Sequence, residues 1–404
     1  MTTSPPVLKI GFLLTPGESW LGGVNYYSNL FRAVAACAEP GVQLLAFFPR
    51  ATDAALVHQI CGDLPCVTVI RTRLLDRGSL PWYGWQVSRR LFGSDLWVAL
   101  ALRRHRVDLF SHAWLYASRL VPSASWIPDF QHLHLPQFFS AQELASRNRT
   151  FQALARRSTV VILSSETAAD DFRRFAPDQA HKARVLRFVS QVPASYWSLT
   201  ATDEAELRHR HALPRPYIYL PNQFWPHKNH VLAIEALQVL LSRGLAVDLV
   251  CTGTHAKDRN GDHMAQIHAL IERLGLQGRV RLLGLVPHAD VYALIRYSAC
   301  VVNPSLFEGW STTVEECKSV GKPMVLSDLP VHREQDPAAR FFDPHDPASL
   351  ADALHAVLAP DPAAPPPTDD PALAARQSLA QRVLDYGRSY LALARAVIHP
   401  ASRR

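Results

Sequence analysis

The sequence predicts an α/β protein of two Rossmann-like, doubly wound domains, each a parallel sheet with helices on both faces. Three observations carry that expectation. The length of 404 residues is about twice that of an ordinary domain. Short apolar runs alternate with helical segments through both halves of the chain. The alternation then lapses between residues 190 and 216, where Pro193, Pro214 and Pro216 punctuate the chain as they do in linkers. Domains are therefore expected at 1–190 and 217–359, with a linker region at 191–216 and a Pro-rich segment plus final helix within 360–404.

The first expected strand is the apolar run 7–14, closed by Thr15-Pro16-Gly17. Gly22-Gly23 follow as a loop, and a helical segment covers 24–38. Runs at 42–48, 67–70, 107–112, 125–127 and 160–163 are bounded by turn or polar residues and read as further strands. The second domain opens with Tyr217-Ile218-Tyr219-Leu220, continues into a helix over about 228–243, and returns as a strand at 247–252. Strands at 280–283, 300–303 and 324–327 keep the rhythm. Residues 360–371 are rich in proline, and the helix expected at 373–397 has no place to pack in its own domain, so it is expected to cross back to the first.

Composition narrows the class. With 48% apolar and 19% charged residues the chain fills real cores and is no disordered polyelectrolyte. No run approaches the roughly 20 apolar residues of a membrane helix, and the start lacks a secretory signal, so a cytoplasmic protein is expected. Cysteines 37, 61, 66, 251, 300 and 317 show no paired spacing and read as reduced thiols. His132-x-His134 and His227-x-x-His230 lack helical i, i+4 spacing and a carboxylate partner, so no metal site is expected.

The net charge of +7 is uneven: residues 1–190 carry +8 and residues 191–404 carry −1. The excess concentrates at Arg71, Arg73, Arg77, Arg89, Arg90, Arg103, Arg104 and Arg106, interleaved with Trp82, Tyr83, Trp85 and Phe92. Arginines with interfacial aromatics suit an anionic membrane face or a phosphorylated lipid. A solvated helix face and a nucleic-acid surface fit the charge as well, although no nucleic-acid-binding signature accompanies it.

The segment that carries most chemistry runs from Asn303 through Glu308, Gly309, Trp310, Ser311, Thr312 and Thr313 to Glu316. A strand ends, a tight loop holds Glu308 and Gly309, and hydroxyl residues open a helix. Free N–H groups at such a helix start form a diphosphate site, and the three hydroxyls can add donors. Glu308 on the loop and Glu316 a turn inside the helix can reach opposite ends of one extended ligand, a sugar and a ribose. A helix N-cap whose acids complement the dipole would produce the same pattern.

Glu308-x7-Glu316 within Pro-Ser-x-Phe-Glu-Gly resembles the signature of family 4 retaining glycosyltransferases of the GT-B fold, and the blocks that follow are similar to its bacterial surface-polysaccharide members. The segment from Leu220 to His230, Gly321-Lys322-Pro323 and the segment from Ser327 to Gln335 are similar to other blocks of that family. The resemblance implies two domains facing a central cleft, the nucleotide-sugar donor on the second and a saccharide or lipid-linked acceptor on the basic first. It implies hexosyl transfer with retention, without a cofactor or required metal, with GDP-mannose the first donor to consider and UDP-sugars next. Peripheral contact with the inner membrane face accompanies a lipid-linked acceptor; a nucleic-acid partner is not implied.

Position by position, Glu308 matches the acid that holds donor-sugar hydroxyls, Glu316 the one on the ribose, and Lys228 the cation on the phosphates. Asn222 and Gln223 precede that lysine, and Gln223 stands where the family has arginine. Gly22 and Gly23 match the glycine loop at the donor–acceptor junction. In Trp126-Ile127-Pro128-Asp129 the family's histidine position holds Pro128, leaving Asp129 as the matching acid and His132 as a candidate substitute. An epimerase of the same fold and an inactive sugar-nucleotide binder remain alternatives. A nicotinamide dehydrogenase is disfavoured, because Gly17-x4-Gly22-Gly23 is not Gly-x-Gly-x-x-Gly.

Overall fold

The β-branched and aromatic runs of the first half pair in parallel into a seven-stranded sheet, and those of the second half into a six-stranded one. The computed structural model describes residues 7–15, 21–93, 95–113, 120–254, 262–359 and 371–399. The first sheet is made of β1 (Leu8–Leu13), β2 (Val42–Pro49), β3 (Val67–Thr72), β4 (Leu109–Ser111), β5 (Ser123–Ile127), β6 (Val160–Leu163) and β7 (Ala183–Val185), in the order β3-β2-β1-β4-β5-β6-β7. The second is made of β8 (Tyr217–Leu220), β9 (Asp248–Cys251), β10 (Val280–Leu282), β11 (Cys300–Asn303), β12 (Met324–Ser327) and β13 (Arg340–Phe342), in the order β10-β9-β8-β11-β12-β13. Both orders reverse at their first strand, between β1 and β4 and between β8 and β11. In doubly wound sheets ligands bind outside the carboxyl ends of the strands at such a reversal.

The second sheet is covered on both faces, which explains its uninterrupted apolar strands. Along β8, Ile218 and Leu220 enter one buried cluster with Leu232, Leu237 and Leu249. Tyr217 and Tyr219 enter another with Leu294, Val301 and Val314. That alternation is the two-residue period of a strand.

Several expected boundaries move for local reasons. Gly22 and Gly23 lie in the first turn of the helix Leu21–Ala36 and not in a loop ahead of it. The helix expected from 228 starts at His230, because Pro226–Lys228 forms a short 3-10 turn and Asn229 takes a left-handed conformation with φ of 56°. Strands β7 and β13, three residues each, carry too short an apolar signal to be read.

The stretch expected as linker holds a helix, Ala201–Arg210, opened by a capping box in which Thr200 N donates to Asp203 Oδ2 at 2.7 Å. Its sequence is nearly all polar, with Leu207 its buried residue, which hides the helical period. Residues 360–370 of the Pro-rich segment lie outside the described residues.

Chain contacts group Met1–Phe130, Ser140–Ser190 and Ala380–Arg404 as one unit, and Gln131–Phe139 with Gln191–Leu379 as the other. The last helix, Pro371–Ile398, thus contributes to both. In the first unit Tyr386 and Tyr390 are buried, Tyr390 Oη donates to Ser111 Oγ at 2.8 Å, and a Cβ on Gly387 would collide with Ala33 O.

Candidate active site

The chemistry-bearing residues of the second unit gather where the order of its sheet reverses. β8 leads into Asn222 and Gln223, and β11 into Ser305 and Glu308. Asn303, fully buried, ties the two strand ends together. Its Oδ1 accepts from Asn222 Nδ2 at 3.1 Å and from Ser305 Oγ at 2.7 Å, and its Nδ2 donates to Ser311 Oγ at 2.8 Å. Leu306 N donates to His227 O at 2.8 Å, which ties the Glu308 loop to the turn that carries Lys228.

Lys228 Nζ donates to Glu308 Oε1 at 2.6 Å, and Ser305 Oγ approaches the same oxygen at 2.7 Å. The two charged side chains are only 15% and 9% exposed. Burial pushes the Glu308 carboxyl up, but Lys228, His332 and the hydrogen bonds from Lys228 and Ser305 outweigh it and hold it down at about 2. Glu308 is therefore ionised throughout the working pH range, and no described residue donates to its Oε2.

Glu316 is the opposite case. It is 8% exposed, no described residue hydrogen-bonds to its carboxyl, and burial raises that carboxyl to about 8. A buried acceptor with no donor costs free energy unless a ligand supplies one.

The helix Thr312–Val320 between these acids begins at Ser311, whose Oγ accepts from Val314 N at 3.4 Å. Gln335 seals this cap: its Oε1 accepts from Ser311 N at 3.0 Å, and its Nε2 donates to Ser311 O at 2.8 Å. Ser311 and Thr313, expected to offer hydroxyls to a ligand, are instead committed inward. Thr313 Oγ1 bonds Pro221 O at 3.4 Å and Asn222 Oδ1 at 3.3 Å. Thr312, half-buried, keeps an uncommitted hydroxyl, and the N–H groups of Thr312 and Thr313 meet no acceptor among the described residues. Gly309 is half-buried on the loop, and Trp310 is buried beside it.

Four contributors were given no role by sequence reasoning, three of them within segments it quoted. Asn303 and Gln335 carry the internal bonding, and His332, fully buried with Nδ1 on Ser327 O at 2.8 Å and kept toward its neutral form by burial, lies near Glu308. Gly253 is the fourth: with φ of 154°, it lies so close to β8's end that a Cβ would strike Asn222 O and come within 2.7 Å of Gln223 Cα. A glycine straight after a strand was the available signal.

The first-half candidates divide between the two units. Gly22, Gly23 and Asp129, the last just beyond β5, belong to the first unit. His132 is counted with the second but is 1% exposed in the short helix Gln131–His134, which argues against its role as a substitute for a catalytic histidine. From the same segment, His134 packs its ring on Phe307 at 5.0 Å. Among the described residues no group of three or more His, Cys, Asp or Glu is placed to hold a metal.

This architecture is that of the GT-B fold, and residues 203–365 match the family model described as Glycosyl transferases group 1. Among curated proteins the chain is similar to alpha-D-kanosaminyltransferase of Streptomyces kanamyceticus, 24% identical over 59% of this chain and 64% of that protein, just under two thirds of its length. It is also similar to D-inositol 3-phosphate glycosyltransferase of Corynebacterium efficiens, 28% identical over 89% of this chain and 86% of that one. Solved structures sharing the fold include Anabaena Alr3699/HepE in complex with UDP and glucose, with a TM-score of 0.66 and 18% identity over 96% of this chain and 99% of that one. WaaG, a glycosyltransferase involved in lipopolysaccharide biosynthesis, shares it with a TM-score of 0.57 and 16% identity over 98% and 100% of the two chains.

Proposed function

We propose that the chain transfers a hexosyl group from a nucleoside diphosphate sugar, with retention at the anomeric carbon, to a saccharide or lipid-linked acceptor in cell-surface polysaccharide or lipopolysaccharide synthesis. The observation that carries this is the placement of Lys228, Glu308 and Glu316 around one helix start at the sheet reversal. Lys228 and the free N–H groups of Thr312 and Thr313 receive the diphosphate and stabilise its charge as it leaves. Glu308 Oε2 accepts from hydroxyls of the donor sugar, and Glu316 from those of the ribose. Gln223, in place of a second cation, offers a neutral amide. The acceptor attacks on the face from which the diphosphate departs, through an oxocarbenium-like state. Neither covalent intermediate nor metal is required in this scheme.

Relatives named alpha-D-kanosaminyltransferase and D-inositol 3-phosphate glycosyltransferase, and a neighbour solved in complex with UDP-glucose, support a sugar-nucleotide donor. The test is incubation with GDP-mannose, UDP-glucose and related donors, following nucleoside diphosphate release and product anomeric configuration by NMR. Release with a retained anomer supports the reading. Conversion of the donor sugar without an acceptor would make the chain an epimerase, and binding without turnover an inactive binder.

A further inference from the structure

We propose that the helices Leu80–Phe92 and Leu96–Arg104 of the first unit form a face that lies in the interfacial plane of an anionic lipid bilayer. The proposal rests on the lipid-linked alternative for the acceptor proposed above and names the surface that brings the enzyme to it.

On the first helix Leu80, Tyr83, Val87 and Leu91 recur at intervals of three and four residues, so they share one stripe. All four are more than half exposed, Leu80 at 87%. On the second helix Leu96, Trp97 and Leu100 are exposed as well. Together these seven are half of the large hydrophobic side chains exposed among the described residues. A Cβ on Gly84 would lie 2.7 Å from Trp97 Cε2, so the Trp97 ring rests on the first helix and joins the two stripes.

The helices are anchored by other residues. Val98 and Leu102 enter the buried cluster with Phe47, Leu74 and Leu75, and Trp85 Nε1 donates to Asp95 Oδ1 at 2.7 Å. The apolar stripe is thus not a core face turned outward by a packing need.

The charge beside the stripe has one sign. Neither helix contains an acidic residue, and Arg90, Arg103 and Arg104 are exposed on them, with Arg77 and Arg106 exposed at their flanks. Asp95 is buried against Trp85, which leaves Asp76 as the other carboxylate between Arg71 and Arg106. Arg71 is engaged elsewhere, its Nη1 bonding the carbonyls of Pro49, Arg50 and Thr52. A cationic rim around an apolar stripe complements a leaflet with anionic headgroups above hydrocarbon. No helix among the described residues is long and apolar enough to cross a membrane, so the contact lies along the surface.

The test is sedimentation of the full chain with vesicles of phosphatidylglycerol plus phosphatidylcholine, and of phosphatidylcholine alone, at about 0.1 M and 1 M salt, where the Debye length falls from about 10 Å to 3 Å. The native chain should pellet with anionic vesicles, less at high salt but still measurably, because apolar burial is not screened. Val87→Glu/Leu91→Glu should lower partitioning by about tenfold or more at both salt levels. Arg90→Gln/Arg103→Gln/Arg104→Gln should lower it at low salt and leave the high-salt residue. Both variants should melt as the native chain does. Native protein that stays in the supernatant, or a Val87→Glu/Leu91→Glu variant that pellets like native, overturns the proposal. So does a concentration-dependent dimer, abolished by the same pair and indifferent to vesicles, which would make the face a contact between copies. Thermal shift with UDP and GDP on the same preparations reports the donor site separately: retained nucleotide binding without vesicle binding removes this surface alone.

Discussion

Lys228 Nζ and Glu308 Oε1 stand 2.6 Å apart with both side chains largely withdrawn from water. The pair couples two tasks, since the cation proposed for the leaving diphosphate also keeps Glu308 ionised. Lys228→Ala should therefore lower turnover by about two to three orders of magnitude, the scale of one lost transition-state stabiliser. It should also reduce stability, because a buried carboxylate loses its partner. Single-turnover rates beside thermal melts check both; a variant that melts lower but turns over normally removes Lys228 from the chemistry.

Burial holds the free Glu316 carboxyl at about 8. If ribose hydroxyls bind its ionised form, donor affinity should rise with pH, about tenfold per unit below 8, and level off above it. Glu316→Gln should weaken binding and remove this slope. Calorimetric titration of both proteins between about pH 6 and 9 separates the effect from ionisation of the nucleotide itself.

Asn303 distributes hydrogen bonds to Asn222, Ser305 and Ser311 without touching solvent. Asn303→Ala strands those polar groups and should cost about 1–3 kcal/mol of stability per unsatisfied group. Because Ser305 then loses its orientation toward Glu308, kcat should fall more than the nucleotide's Kd changes. Equal kcat in a variant that folds would reduce Asn303 to a structural role.

Gly253→Ala should be worse for donor binding than its one added methyl suggests. The φ of 154° disfavours any side chain, and the Cβ meets backbone at Asn222 and Gln223 that cannot give way as a flexible side chain would. A Kd for UDP or GDP within twofold of native would show that the Asn222–Gln223 segment does not contact the donor.

His227 and His230 are kept neutral by burial, each with its imidazole held down at about 3. Unfolded histidine titrates near 6.5, so the unfolded state binds more protons between pH 6.5 and 3 and stability falls as pH drops through that window. Linkage puts the loss at about 2 kcal/mol per histidine at pH 5. Melting curves between neutral pH and pH 5 should show it, and His230→Phe should flatten the dependence.

Strands β6, β8, β11 and β12 were legible to the residue, because a strand buried on both faces is an unbroken apolar run between polar stops. The acids and Lys228 were legible through their spacing. What stayed hidden depends on tertiary partners. Thr313 reads as a ligand donor until Pro221 and Asn222, some ninety residues earlier, are found to take its hydroxyl. Gln335 ends a block similar to the family but has no role assigned until it is found closing the cap at Ser311. The helix Ala201–Arg210 is held in part by Arg210, which reaches Asp290 at 2.8 and 2.9 Å, and no local period announces such a pairing.

The division of the last helix also bears on how the protein is made. Synthesis runs from the N-terminus, yet Tyr386, Gly387 and Tyr390, which complete the packing against Ala33 and Ser111, are made only after all six strands of the second sheet. The first sheet can assemble early, but its hydrophobic closure waits until the second unit has been made. A fragment ending at Ser190 would expose that seam, and a chimera that exchanges the N-terminal half must carry the final helix with it.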